Sequence, residues 1–404
     1  MKIGVWLNDN INPNIGGGFS YTERLVELID KKTFSNPIEI IFSTNISEKL
    51  PFQKEVIYLN TSGLGKLNRY QKIIRRLSKR FSFLKEVHKK NVIAKKDLVL
   101  AENKRILKQH KIDIVYYLLQ QEKQIKDFPF ISTNWDIGHL SMKPFPEVTE
   151  NGEFEFREKW YRREIKEAIS IFCDSEAGKQ ELIKYLDFNS NRIKILPIFP
   201  GKVINIEVDN ERKKTILKNF KLKKNGYFFY PAQFWKHKNH LNLIKAFKSF
   251  SNEYPTVKLV FTGSDKGSLS ELKTLVENEN LESLIEYLGF VELDEIQILY
   301  KNAIALVMPT FLGPTNMPPL EARALGCPVL CSDLKGHKEQ LGEGAIYFDP
   351  ESVEEIYNAL KIIMDSHTRE QLLKKAKIVS QKSIFNGKKA IEILEQNLIE
   401  VCKL

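Results

Sequence analysis

The sequence predicts an α/β protein built from two doubly wound domains, and two observations carry that expectation. Short β-branched and aromatic runs alternate with longer helical patterns along nearly all 404 residues, which is the signature of parallel strands covered by helices on both faces. The alternation breaks once, at Pro197–Lys202, and then restarts. A chain this long exceeds one ordinary core and suits two of about 200 residues each. The expected units are residues 1–200, residues 201–385 and a terminal helix in 386–404, whose return onto the first domain is left open.

In chain order, strands are expected at Lys2–Trp6, Ile38–Phe42, Val56–Leu59, Asp113–Tyr117, Phe130–Asn134, Ser170–Cys173 and Ile193–Leu196. After the break they are expected at Tyr227–Tyr230, Lys258–Thr262, Ile285–Leu288, Ala305–Met308, Val329–Cys331 and Ala345–Phe348. Helical spacing marks Tyr21–Ile29, Glu158–Ile169, Ala177–Leu186, Leu241–Phe250, Leu269–Glu279, Val353–Met364 and Lys388–Val401. Ligands of such sheets sit beyond the carboxyl ends of the strands, so two facing sheets define a cleft.

Composition narrows the class. A hydrophobic share of 42% and a charged share of 28% are those of a globular protein. The opening Met-Lys-Ile-Gly-Val-Trp-Leu run stops at Asn8, too short for a signal peptide, and no stretch approaches the ~18 apolar residues of a membrane span. The expected location is therefore cytoplasmic. Cys173, Cys327, Cys331 and Cys402 are scattered and lack a neighbouring histidine cluster, which favours buried, reduced thiols over a metal site.

A net charge of +11 calls for an anionic partner. Twelve cations crowd Lys66–Lys96 against Glu86 alone, with Ile73, Ile74, Leu77, Phe81 and Leu84 at helical spacing among them. A basic helix with one apolar face suits an anionic membrane surface; it equally suits a solvated helix packed on its own domain. Nucleic acid is not expected, since neither a recognition helix nor an RNA-binding aromatic signature accompanies the charge.

Four segments carry candidate chemistry. Gly16-Gly17-Gly18 falls between the first strand and its helix, where backbone can approach a phosphate or sugar, although a plain turn uses glycine as readily. Trp135-Asp136-Ile137-Gly138-His139 leaves the strand Phe130–Asn134, putting Asp136 and His139 in the ligand position. Tyr230–His240 brings Gln233 and Lys238 to the end of the second domain's first strand, a placement suited to a diphosphate. In Pro309–Ala322, Pro319 opens a helix that Gly326 stops, so amides of Asn316 and Met317 are expected to face an anion. Glu321 lies one turn in, either accepting from two ribose hydroxyls or stabilising the helix dipole.

Together these segments resemble the retaining glycosyltransferases of family 4, which have the GT-B fold; the likeness covers nearly the whole chain and is strongest from Tyr230 to Asp349. The resemblance implies that Lys238 holds the donor diphosphate and Glu321 the donor ribose. Two positions depart from the family: Gln233 stands where an arginine is usual, and Gly313 where the first of two glutamates is usual. Thr315 or Asn316 is then expected to take the sugar hydroxyls. The implied activity is a metal-independent transfer of a sugar, mannose being one candidate, from a nucleotide-diphosphate sugar to a glycan or lipid-linked acceptor in surface-polysaccharide assembly. No Asp-x-Asp occurs to hold a metal. Asp136 and His139 would orient a substrate or help move a proton, and Lys66–Lys96 would meet the inner face of the membrane. The alternatives are a nucleotide-sugar epimerase on the same architecture and a non-catalytic nucleotide- or nucleic-acid-binding protein.

Overall fold

The computed structural model describes residues 1–8, 17–46, 48–61, 63–78, 81 and 83–403. Its first sheet holds β1 (Lys2–Leu7), β2 (Glu39–Thr44), β3 (Val56–Tyr58), β4 (Ile114–Tyr117), β5 (Phe130–Asn134), β6 (Ser170–Cys173) and β7 (Ile193–Ile195). The second holds β8 (Tyr227–Pro231), β9 (Lys258–Thr262), β10 (Ile285–Tyr287), β11 (Ala305–Met308), β12 (Val329–Ser332) and β13 (Ile346–Phe348). Each expected strand is present, with ends shifted by a residue or two. The orders are β3-β2-β1-β4-β5-β6-β7 and β10-β9-β8-β11-β12-β13. Pairing is parallel in both sheets, as in Val5 with Phe42 and with Tyr116, and Phe229 with Val260. Continuous apolar runs such as Tyr227-Phe228-Phe229-Tyr230, wholly buried, are what a strand covered on both faces requires.

The first sheet is packed on both sides, one core holding Trp6, Ile41, Val115 and Ile171, the other Ile3, Val5, Phe42 and Ile131. Helix Gly387–Val401 closes the second of these with Ile391, Leu394, Leu398 and Val401 on one face. Asn397 Nδ2 donates to the Ile195 carbonyl at 2.8 Å, tying the end of the chain to β7. Met317 and Leu320, from the second half of the chain, join the same apolar cluster and carry packing across the cleft.

Two segments differ from the sequence expectation. The periodicity over Glu158–Ile169 predicts one helix. Instead, an α-helix at Glu153–Lys159 runs into a π-turn at Trp160–Glu164 and a 3₁₀ turn at Ile165–Glu167. Trp160, Tyr161 and Ile165 of these turns are buried; such insertions concentrate at functional sites. The basic segment forms two helices, Arg69–Leu77 and Phe83–Gln109. Asn68 caps the first through a reciprocal bond with Gln71. Of the apolar residues named there, Ile74 is buried, while Ile73, Leu77 and Phe81 are exposed; Lys79 and Arg80 lie outside the described residues.

Leu398, with no exposed surface, makes the terminal helix's role measurable. Leu398→Ala is expected to cost about 2–5 kcal/mol. That loss appears as a lower urea midpoint in tryptophan fluorescence, and an unchanged midpoint shows that the helix is dispensable to the first domain.

Candidate functional site

Strand order reverses between β1 and β4 in one sheet and between β8 and β11 in the other. In doubly wound sheets the crevice at that reversal is the ligand site. The loops leaving β4 and β5 meet there the loops leaving β8 and β11.

On the first-domain side, Gly16 lies outside the described residues, and Gly17 opens helix Gly17–Lys31. Gly18 backs onto Trp135: a Cβ there would stand 3.0 Å from the indole ring, so glycine eases the close approach of the helix start to the β5 loop. Gln120, just past β4, holds that loop by accepting from the Trp135 and Asp136 amides at 2.7 and 3.2 Å. Tyr161, from the π-turn, donates its hydroxyl to the Asp136 carbonyl. The Asp136 carboxylate accepts from the Gly138 amide at 2.8 Å and from Arg157 at 3.4 Å, and remains partly exposed. His139 is placed otherwise than the sequence suggests. Its ring has no exposed surface, stacks on Tyr161 at 5.1 Å and meets Glu158 at 3.2 Å. Burial lowers its pKa, partly offset by Glu158, so it is a neutral support for the Asp136 loop rather than a group presented to substrate.

On the second-domain side, β8 ends at Pro231, and Lys238 closes the 3₁₀ turn Lys236–Lys238. Its ammonium reaches Asn316 Oδ1 at 3.4 Å. Burial pulls the lysine down to about 8, opposed by the charges of Asp136 and Glu147 from the first domain. An ammonium so placed faces two carboxylates across the cleft and carries its proton at neutral pH. Gln233 accepts from the Trp235 indole N–H at 3.0 Å.

Helix Met317–Ala324 corrects the expected anion cradle. The Asn316 amide donates to Gln340 Oε1 at 3.1 Å, and Pro318 and Pro319 have no N–H to offer. Of the two amides expected to face an anion, only that of Met317 is left for the task, while its side chain packs in the interdomain apolar cluster. Glu321 is buried, accepting from Tyr300 at 3.2 Å and from the Gly201 amide at 3.3 Å. Arg24 donates to the carbonyls of Pro200 and Gly201 at 2.9 and 2.8 Å and adds its charge nearby. Lys238 and Glu321 thus flank one loop, the ammonium at its mouth and the carboxylate against the interdomain linker.

Further contacts cross the cleft, and none announces itself in the sequence. Glu147 accepts from the His237 amide at 2.9 Å and pairs with its ring at 2.5 Å. Although burial opposes it, that pairing holds the Glu147 carboxyl below its usual range. Thr315 donates to Asp174 just past β6, and Glu339 accepts from the Glu176 and Ala177 amides at 2.9 and 2.6 Å, capping helix Glu176–Leu186 from the opposite domain. The partners lie 90–163 residues apart, beyond any local pattern. Position after a strand end does flag Gln120 and Asp174. Among the described residues no cluster of His, Cys, Asp or Glu is arranged to hold a metal ion.

Burial pushes Asp174, Glu181 and Glu321 each up to about 7. Carboxyls whose folded pKa exceeds the unfolded value of about 4 bind protons more tightly when folded. Their contribution is therefore most favourable at acid pH and is lost as pH rises from about 4 to about 7. Asp174→Asn and Glu321→Gln are each expected to narrow the difference in melting temperature between pH 5 and pH 7.5. A difference as wide as in the unaltered protein shows that these groups titrate normally.

Comparison with known proteins fits this geometry. Residues 211–382 match the family of glycosyl transferases group 1. The chain is 24% identical over 286 residues to the O-antigen chain mannosyltransferase B of Escherichia coli, covering 63% of this chain and 72% of that protein. It is 33% identical over 143 residues to the O-antigen chain mannosyltransferase RfbU of Salmonella typhimurium, covering 35% of this chain and 40% of that protein. The structure of Anabaena HepE in complex with UDP and glucose superposes over the whole of both chains with a TM-score of 0.67 at 16% identity. That likeness establishes the GT-B fold. With the cleft at both strand-order reversals and residues 211–382 matching glycosyl transferases group 1, the protein is a glycosyltransferase.

Proposed function

We propose that the chain transfers a sugar from a nucleotide diphosphate to a glycan or lipid-linked acceptor during assembly of a surface polysaccharide, mannose being favoured by the two mannosyltransferases it resembles. The observation that carries the reading is the half-buried Lys238 ammonium at the end of β8, facing Asp136 and Glu147. On donor binding the diphosphate becomes that ammonium's counter-charge. As the sugar–phosphate bond lengthens, Lys238 and the Met317 amide stabilise the charge growing on the leaving diphosphate, a preorganised electrostatic role that needs no metal. The acceptor hydroxyl attacks from the face the diphosphate leaves, with retention of configuration, and its proton passes to the departing diphosphate oxygen. Asp136, held by Gln120, Arg157 and Tyr161, orients a hydroxyl in the cleft, and His139 supports it from beneath. Glu321 holds the donor ribose once binding draws it from Gly201.

The basic hairpin supplies the acceptor side of the proposal. Arg75, Arg76, Lys89 and Lys90 are exposed beside exposed Ile73, Leu77 and Ile93, a mixture that suits an anionic bilayer surface. No helix among the described residues is long and apolar enough to cross a membrane.

Two measurements test these statements. In a panel of GDP-, UDP-, ADP- and dTDP-sugars, one donor is expected to raise the melting temperature, and Lys238→Ala to lower kcat with it by about 10²–10³ while the protein stays folded; equal turnover by the variant removes the proposed role of Lys238. Sedimentation with vesicles containing anionic lipid is expected to carry the protein down, and reversal of Arg75, Arg76, Lys89 and Lys90 to glutamate to leave it in the supernatant. Equal recovery of both removes the membrane contact.

A further inference from the structure

We infer that His337 is the positioning residue of the donor site: its ring fixes the Asn316 carboxamide so that Oδ1 turns to the Lys238 ammonium. The inference rests on the reading that Lys238 holds the diphosphate, and it follows from hydrogen-bond bookkeeping. His337 is wholly buried on helix Lys335–Leu341, and its Nδ1 lies 2.8 Å from the Ser332 carbonyl at the end of β12. A carbonyl only accepts, so Nδ1 carries the proton. Burial holds the ring neutral, pulling its pKa down to about 4, so Nε2 is left as an acceptor. The atom 3.0 Å from Nε2 must then be a donor, which makes it the Asn316 Nδ2 amide. The same amide donates to the Leu312 carbonyl at 2.9 Å, which only that orientation allows. Oδ1 is thereby aimed at Lys238, 3.4 Å away.

Two features explain why Asn316 is available for this. An asparagine preceding a helix ordinarily accepts from the amides at the second or third helical position. Here those positions are Pro318 and Pro319, which have no amide hydrogen, and Asn316 makes no side-chain cap. The backbone of Asn316 is gripped separately. Gln340, one turn beyond His337, accepts from its amide at 3.1 Å and donates to its carbonyl at 2.8 Å. Gly336 permits this close packing, since a Cβ there would fall 1.8 Å from the Pro314 carbonyl oxygen. His337 and Gln340 of one short helix therefore set one loop residue, with Gly336 admitting the loop beside them, and that residue sets the lysine.

The relay acts on the ammonium's position and predicts coupled losses. The probe is whichever of GDP, UDP, ADP or dTDP gives the largest melting shift, with affinity read by calorimetry on the full chain. His337→Phe keeps the volume but removes the acceptor, and is expected to weaken binding about five- to tenfold. His337→Gln, whose carbonyl oxygen can stand in for Nε2, is expected to bind within about twofold of the unaltered protein. Asn316→Ala is expected to lose as much as His337→Phe, and the double variant no more than either alone. Unchanged affinity in a folded His337→Phe protein, or in Asn316→Ala should His337→Phe not fold, overturns the relay; so does equal impairment of the glutamine variant, or additive losses in the double variant. Lys238→Ala run alongside separates the two ideas. Loss there with none in the His337 and Asn316 variants removes the relay alone, whereas no loss there removes the reading on which it stands.

Discussion

Keeping an ammonium half out of water at the meeting of two domains is the constraint from which the rest of the site follows. Burial alone disfavours the charged form of Lys238, and the protein offsets this with Asp136 and Glu147 from the facing domain and Asn316 from its own. None of the three is free to wander. Asp136 is pinned by Gln120, Arg157 and the Tyr161 π-turn, Glu147 is paired with His237, and Asn316 is clamped by helix Lys335–Leu341. On the proposed reading, the cleft is thereby prepared for the charge that arrives with the donor, which keeps reorganisation at the moment of reaction small.

The same economy explains the contacts between domains. Glu147 with His237, Thr315 with Asp174 and Glu339 on the start of helix Glu176–Leu186 all bridge the cleft. Met317 and Leu320 add apolar contact from the helix that carries Glu321. The loop after β11 is consequently held against the first domain by contacts on both sides.

Much of the fold was legible because parallel strands covered on both faces leave continuous apolar runs, and those runs stand out against polar helices. The ends of β5, β8 and β11 were legible for the same reason, and with them Asp136, Lys238 and the Pro309–Ala322 loop. Three things were hidden. Periodicity cannot register an inserted π-turn, so Tyr161 was unseen as the support of Asp136. A helix start advertises anion affinity only if its amides are present and unspent, and Pro318, Pro319 and Gln340 cancel most of that promise. The carboxylates that face Lys238 and His237 come from the other domain, and nothing in the residues around a lysine tells which carboxylate the fold will bring to it. His139 shows the converse: a histidine past a strand end looked presented, and tertiary packing buried it.

The central claim is that Lys238 is the counter-charge of the donor's diphosphate. Its most direct measure is proton uptake on binding a nucleoside diphosphate near pH 8, obtained from calorimetry in buffers of differing ionisation enthalpy. With the lysine at about 8 before binding, an arriving anion should draw in about half a proton, and Lys238→Met should abolish that share. Uptake that is absent, or that persists undiminished in the methionine variant, would mean that the phosphates rest elsewhere.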